Sequence, residues 1–385
     1  MASILRYPVW ILLALLVTSF PIRSAELPQR DTKVVEQLKS YLQSHYMTPE
    51  DYVISKFQDH DVVFLGEWHR VRQNVELVQN LIPRLYEKGV FTLATEFARH
   101  EDQPLIDRLL SGSSYDEALA RQVAFNEDVA WGYQEYVDIY KAAWRLNHQL
   151  PSKNRKFRIL GVNGVHDWGA VSRHEEPYSE EPWAKVILDE VAAKGEKALV
   201  YSGIHHAFTQ YRQPVEPVMK DGKLTFVRFG EVRMGNYVFN AISKRAMTIS
   251  LHYPWPSSAG YDEGVTYAAD GYIDAVMAEI EARFRNAGFD TRGTPFGDLP
   301  GENSVYKYGY EKFTLSTFCD GYVIQGPLHE YQAVTPIKDF INAGNLAVAR
   351  AQMPNQKFRD ASAEEFNRGI AHDAGVPQEL IATLH

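Results

Sequence analysis

The 385-residue chain has a single cysteine, Cys319. One thiol cannot close an internal disulfide, so the fold must rest on a buried core, which this length can supply. Cys319 lies in the alternating run Leu315-Ser316-Thr317-Phe318-Cys319-Asp320-Gly321-Tyr322, so it reads as a small buried hydrophobe, with a catalytic thiol as the minor reading. Gly-x-Ser-x-Gly and glycine-rich phosphate loops are both absent, which excludes the chemistries that depend on them. His329-Glu330 and His174-Glu175 lack the second histidine a zincin helix would need. The 40 basic residues form no polybasic run and the net charge is −9, which argues against a nucleic-acid binder. No internal repeat or low-complexity tract is visible.

No apolar run reaches the ~20 residues of a spanning helix. Arg6 precedes a shorter run, Pro8-Val9-Trp10-Ile11-Leu12-Leu13-Ala14-Leu15-Leu16-Val17, and small residues follow up to Ser24-Ala25. This pattern reads as a secretory signal cleaved near Ser24 or Ala25, with an uncleaved anchor as the alternative. The absence of a nearby cysteine excludes a lipoprotein. The expectation is residues 1–25 as signal peptide, a secreted or periplasmic product without a stable membrane span, and one α/β domain over 26–385.

Hydrophobic spacing predicts helices over 32–46, from Thr48-Pro49-Glu50-Asp51, and over 71–88, the last with Val71, Val75, Val78, Ile82 and Leu85 on one face and Pro83 bearing on its final turn. Strands are expected at Val62-Val63-Phe64-Leu65, at Phe91-Thr92-Leu93-Ala94-Thr95, and at 157–162, 198–202 and 247–251. Strand, helix and strand with short connections indicate a mostly parallel central sheet flanked by helices. Residues 103–150 read as a helical insertion with an aromatic core face of Trp131, Tyr133, Tyr136, Tyr140 and Trp144. A late strand is expected over 313–324, a helix from Thr335-Pro336-Ile337, and a loop-rich insertion or lid over 254–310.

In open parallel sheets, ligands gather beyond the carboxyl ends of the strands. The residues there are Gly66, Glu67, Trp68 and His69; Glu96; Asn163, His166 and Asp167; Gly203, His205 and His206; and His252. So many ionisable groups at strand ends are costly unless they pair or bind something. Two hydrolytic chemistries fit. In one, His69 is a general base oriented by Glu67 or Glu96, and a histidine of the 205/206 pair binds the oxyanion or protonates the leaving group. In the other, Glu67, His69, Glu96 and His206 supply ligands to a divalent metal that activates water. Each residue also has a structural reading. Glu67 or Glu96 would pair with Arg70, Arg72 or Arg99; His205 or His206 would be a satisfied core histidine; His252 would pack a loop; Asp167 would open a turn.

The run Asp61-Val62-Val63-Phe64-Leu65-Gly66-Glu67-Trp68-His69, its following helix, and Phe91-Thr92-Leu93-Ala94-Thr95-Glu96-Phe97 resemble the erythromycin esterase-like/ChaN-like group, related to the Tiki/TraB proteins. Ala198-Leu199-Val200-Tyr201-Ser202-Gly203-Ile204-His205-His206 and Asp320-Gly321-Tyr322-Val323-Ile324 continue the likeness. The resemblance implies an α/β fold with a Glu–His site. It implies one of three chemistries: a motif histidine that activates water against a macrolide lactone, haem binding linked to iron uptake, or metal-dependent peptidase activity. The Glu67-x-His69 spacing follows the ChaN-like pattern, and Val78 and Gln79 occupy the region where the esterases carry a helix arginine. Both departures count against macrolide hydrolysis and leave the substrate open. The expected function is an exported hydrolase acting on an ester, lactone or amide of a small molecule or peptide, with a divalent metal as conditional cofactor. A haem- or metal-binding uptake protein is the alternative.

Overall fold

The computed structural model describes residues 27, 29–165, 179–353 and 359–384. The expected signal segment, and His166 and Asp167, lie outside the described residues.

Helix α1 (Thr32–Ser44) starts on an Asp31 cap. Helix α2 (Pro49–Lys56) starts as expected: the Thr48 hydroxyl accepts the Asp51 N–H, Pro49 fills the first turn, and Glu50 and Asp51 face the positive helix end. Strand β1 (Val62–Glu67) is followed by α3 (Arg72–Glu87), which buries Val75, Val78, Leu81, Ile82 and Leu85. Each such side chain contributes about 1.5–3 kcal/mol of burial, and together they hold α3 on the sheet. Strand β2 (Thr92–Arg99) leads into α4 (Gln103–Ser111), α5 (Glu117–Glu127) and α6 (Gln134–Gln149), so the helical insertion is three helices rather than continuous helix. Strands β3 (Arg158–Asn163) and β4 (Ala198–Gly203) follow. Next come the hairpin β5 (Val218–Lys220)/β6 (Lys223–Thr225), β7 (Ala246–Leu251), the small pair β8 (Trp255–Pro256)/β9 (Val265–Thr266), β10 (Asn286–Asp290) and β11 (Gly321–Gln325).

Seven strands form the main sheet in the order β10-β11-β7-β1-β4-β2-β3. All neighbours run parallel except β10, which pairs antiparallel with β11 at the edge. The α/β class with a mostly parallel sheet is therefore as the sequence led us to expect. Alternation divides the core. Val63, Leu65, Leu199 and Tyr201 face the side covered by α3 and α6, whereas Val62, Phe64, Ala198 and Val200 face α1 and the helices Glu181–Glu190 and Met234–Ile242.

Two expectations fail. The late strand over 313–324 is a short helix, Leu315–Phe318, followed by β11; Cys319, buried as expected, caps that helix. A Thr314–Thr317 capping box turns the chain there, so the alternation of residues is local and does not make a strand. Thr335-Pro336-Ile337 opens no helix: Pro336 bridges to Tyr133, and the Thr335 N–H and hydroxyl are held by Glu135. The stretch 254–310, expected to be loop-rich, also supplies helix Tyr272–Glu279 and sheet strand β10. Strand β10 is short and centred on Gly288, where a Cβ would lie 2.5 Å from Tyr52 Cβ; the glycine admits that ring, and Tyr52 donates to Asp290 at 2.8 Å.

Candidate functional site

Strands β1 and β4 lie side by side, but their chains leave in opposite directions. The connection from β1 passes over β4 to β2 through α3 on one face. That from β4 passes over β1 to β7 through Met234–Ile242 on the other. This is a topological switch point, where the connecting chains part and leave a crevice at the carboxyl ends. Glu67 and Gly203, the last residues of the two strands, are register partners at its floor.

Glu67 follows Val63 and Leu65 on the α3/α6 side, which explains its 1% exposure. Its Oε1 accepts the Tyr136 hydroxyl at 2.5 Å and stands 2.9 Å from His69 Nδ1, and its Oε2 accepts the Tyr201 hydroxyl. Burial raises its pKa above the ordinary carboxylate value, and His69, Tyr136 and Tyr201 counteract part of that rise. The Tyr136 oxygen also accepts the Arg70 N–H at 3.1 Å, so one hydroxyl ties α6 to the turn that carries His69. Arg70 takes the left-handed conformation, φ +68°, costly for a long side chain and offset here by the stacking of its guanidinium over Trp131 at 5.0 Å.

His69 sits edge-on to Phe97 and Trp131, with ring centroids at 5.7 and 5.0 Å. Its Nε2 stands 3.7 Å from Glu96 Oε1. Gly203 makes this placement possible: a Cβ there would lie 2.7 Å from His69 Cε1 and 2.9 Å from Nε2. Pairing of β2 with β4 ends at Thr95, and its register with β3 shifts between Thr95 and Arg99. Glu96 therefore lies where the ladder breaks, and its Oε1 accepts the Gly203 N–H at 3.0 Å. Its Oε2, buried and without a hydrogen-bond donor, faces His206 Nε2 at 3.5 Å.

The structure brings Glu67, His69, Glu96 and His206 together. The adjacent His205 instead meets the Tyr306 hydroxyl at 2.8 Å; burial, then Arg233, hold its pKa well below the usual imidazole value. His252 is 1% exposed, 2.8 Å from the Tyr322 hydroxyl and 3.2 Å from Asp274. Among the described residues, it pairs with Tyr322 and Asp274, outside the Glu67–His206 group. Asn163, at the end of β3, donates to Glu127 at 2.7 Å.

Four contributors gave no signal in the sequence as functional residues. Tyr136 read there as a core aromatic and Tyr201 only as a residue of the strand expected over 198–202. Glu127 closes α5; burial, then Asp128 and Glu96, raise its pKa well above the carboxylate range, which favours a neutral carboxyl beside the site. Glu180, 1% exposed, stands 3.0 Å from His206 Nδ1 and 2.7 Å from Arg233. Burial pushes His206 down, but Glu180 and Glu96 outweigh it, so its pKa is raised. Burial pushes Glu180 up, and His206 and Arg233 reverse this, lowering it to about 2.

The described residues hold no group of three or more His, Cys, Asp or Glu arranged for a metal ion. Of the atoms conditionally assigned to one, those of Glu67 are engaged with His69, Tyr136 and Tyr201, whereas Glu96 Oε2 has no hydrogen-bond partner. Haem iron takes an axial ligand such as an imidazole nitrogen, and His69 and His206, both partly exposed, are the imidazoles of the cluster that could supply one.

A mostly parallel α/β sheet with a carboxylate–imidazole cluster at its switch point defines the class. Within it, the family model for haem-binding uptake, Tiki superfamily, ChaN, matches residues 53–154, the segment carrying Glu67, His69 and Glu96, and the resemblance noted in the sequence is borne out there. No curated protein matches the chain. Among solved structures, a Bacillus cereus protein is similar at 12% identity, over 80% of this chain and 99% of its own, with TM-score 0.45. A succinoglycan biosynthesis protein is similar at 10% identity, over 79% and 98%, with TM-score 0.48. ChaN of Campylobacter jejuni, described with cofacial haem, is similar at 14% identity, over 55% and 89%, with TM-score 0.36. No helix among the described residues is long and apolar enough to cross a membrane.

Proposed function

We propose that the chain is a hydrolase acting on an ester, lactone or amide, with His69 as general base. One observation carries the reading: a fully buried carboxylate, Glu67, lies 2.9 Å from Nδ1 of a partly exposed imidazole, while tyrosine hydroxyls hold both carboxylate oxygens. A proton on Nδ1 leaves Nε2 as the basic atom, and Glu67 stabilises the imidazolium that forms. In the reaction Nε2 takes a proton from water, the water oxygen attacks the carbonyl carbon, and the C–O or C–N bond breaks as His206 gives a proton to the leaving atom. The products are an acid and an alcohol or amine.

The test is a screen of p-nitrophenyl esters, lactones and peptides with the wild-type chain and His69→Ala. A general base contributes about 10²–10⁴-fold, so turnover in the variant is expected to fall by at least about 100-fold. Unchanged turnover in His69→Ala would sink the proposal. The family match favours a second reading, haem binding, and no step above runs through haem. Titration of the purified chain with haemin decides it: a Soret shift that saturates at a fixed stoichiometry supports the reading, and its absence removes it.

A further inference from the structure

Glu180 is at none of the strand ends; in the fold it caps the start of the helix Glu181–Glu190. In the fold it is among the least exposed carboxylates, at 1%. A charge buried this deeply requires charged or hydrogen-bonding partners. Arg233 Nη1 donates to its Oε1 at 2.7 Å and the Met234 N–H to its Oε2 at 2.8 Å, and Arg233 Nη2 is itself held by Gln213 at 3.1 Å. The carboxylate is thus clamped from two directions before His206 is considered. His206 Nδ1 lies 3.0 Å from Oε1, an ion-pair contact short of hydrogen-bond alignment, and Nε2, on the other edge of the ring, faces Glu96 Oε2 at 3.5 Å.

The result is a row of alternating acids and imidazoles across three strands: Glu67, His69, Glu96, His206 and Glu180, with successive gaps of 2.9, 3.7, 3.5 and 3.0 Å. Glu67 is hydrogen-bonded to His69 Nδ1, Glu180 stands at ion-pair distance from His206 Nδ1 without hydrogen-bond alignment, and the two Nε2 atoms face different oxygens of the shared Glu96. We infer that Glu180 is a positioning residue that sets His206 opposite His69, so that base and proton donor flank one carboxylate. The inference rests on the hydrolytic reading for its catalytic consequence, but the orientation of His206 does not.

Two measurements on the full chain test it. The first is the ring-nitrogen correlation spectrum of ¹⁵N-histidine protein, with His206 assigned from His206→Gln. The expected result is a proton on Nδ1 of His206 whose signal moves in Glu180→Gln; an Nδ1 without a proton in the wild type, or a signal unmoved by the substitution, overturns the inference. The second is steady-state hydrolysis of the best p-nitrophenyl ester. Residues that orient a functional histidine typically cost about 10–100-fold, so Glu180→Gln is expected to lower kcat by that factor with KM within about threefold, and Glu180→Asp to recover part of it. Wild-type kcat in Glu180→Gln overturns the inference. A wild-type chain that turns over no substrate, yet shows the Glu180-dependent Nδ1 proton, sinks the hydrolytic reading and leaves the positioning of His206 standing.

Discussion

Replacing Glu180 by glutamine keeps the shape of the side chain and removes its charge from between two cationic groups. Arg233 and His206 lie 2.7 and 3.0 Å from the same oxygen, so the neutral amide leaves their mutual repulsion uncompensated in a buried site. The carboxyl pKa falls from the ordinary 4.5 to about 2, because these partners outweigh the burial that acts against them. At about 1.4 kcal/mol per tenfold change in proton affinity, that drop corresponds to about 3 kcal/mol of folding stability. A depressed carboxylate contributes this stability above pH 4.5 and loses it as the pH falls toward 2. The raised pKa of His206 acts at the other end: its share is complete below pH 6.5 and fades as the pH rises through the raised value. Urea midpoints for wild type and Glu180→Gln across this pH range give the curve directly. The expected gap of about 3 kcal/mol near pH 6 narrows on both sides, most steeply below pH 4.5. A gap of the same size at every pH, or none at pH 6, would refute the reasoning.

Other outcomes follow from single contacts. Gly203→Ala places a methyl 2.7 Å from His69 Cε1, so the ring must move. Displacement of a catalytic group by about 1 Å costs about 10²-fold, and the ester assay should show that loss while the far-ultraviolet dichroism stays native. Tyr201→Phe strips the donor from Glu67 Oε2, leaving a buried oxygen unpartnered; about 1–3 kcal/mol of stability should be lost in urea, and an unchanged midpoint would contradict the bond. Burial raises the Cys319 thiol pKa well above the usual range, so a disulfide reagent should label it only in denaturant. Rapid labelling of the native protein would count against the burial of Cys319.

Much of this was legible in the residues. Helices α1 to α3 and the parallel strands were visible because apolar spacing, caps and turn residues act locally and agree with the final packing. Short β10 was not, since a glycine between polar ends has no strand pattern of its own and is recruited by the neighbouring β11 and the Tyr52 ring. The run ahead of β11 misled for the opposite reason: its alternation was real, but a Thr314–Thr317 capping box turned the chain.

For the site, the sequence by itself determined the roster of strand-end groups, because a strand that stops in Glu, His or Gly leaves those residues at the sheet edge wherever the strand lies. Tertiary structure decided which of them meet. His205 and His206 share one helical turn, and consecutive residues there point about 100° apart, so only the exit angle from β4 assigns His206 to Glu96 and His205 to Tyr306. Tyr136 comes from a helix 69 residues beyond Glu67 and Tyr201 from a strand 134 residues beyond it, separations at which no local pattern records a partner. Hydrogen bonds of that kind depend on ångström-scale approach between elements, and strand order, not residue spacing, sets that approach.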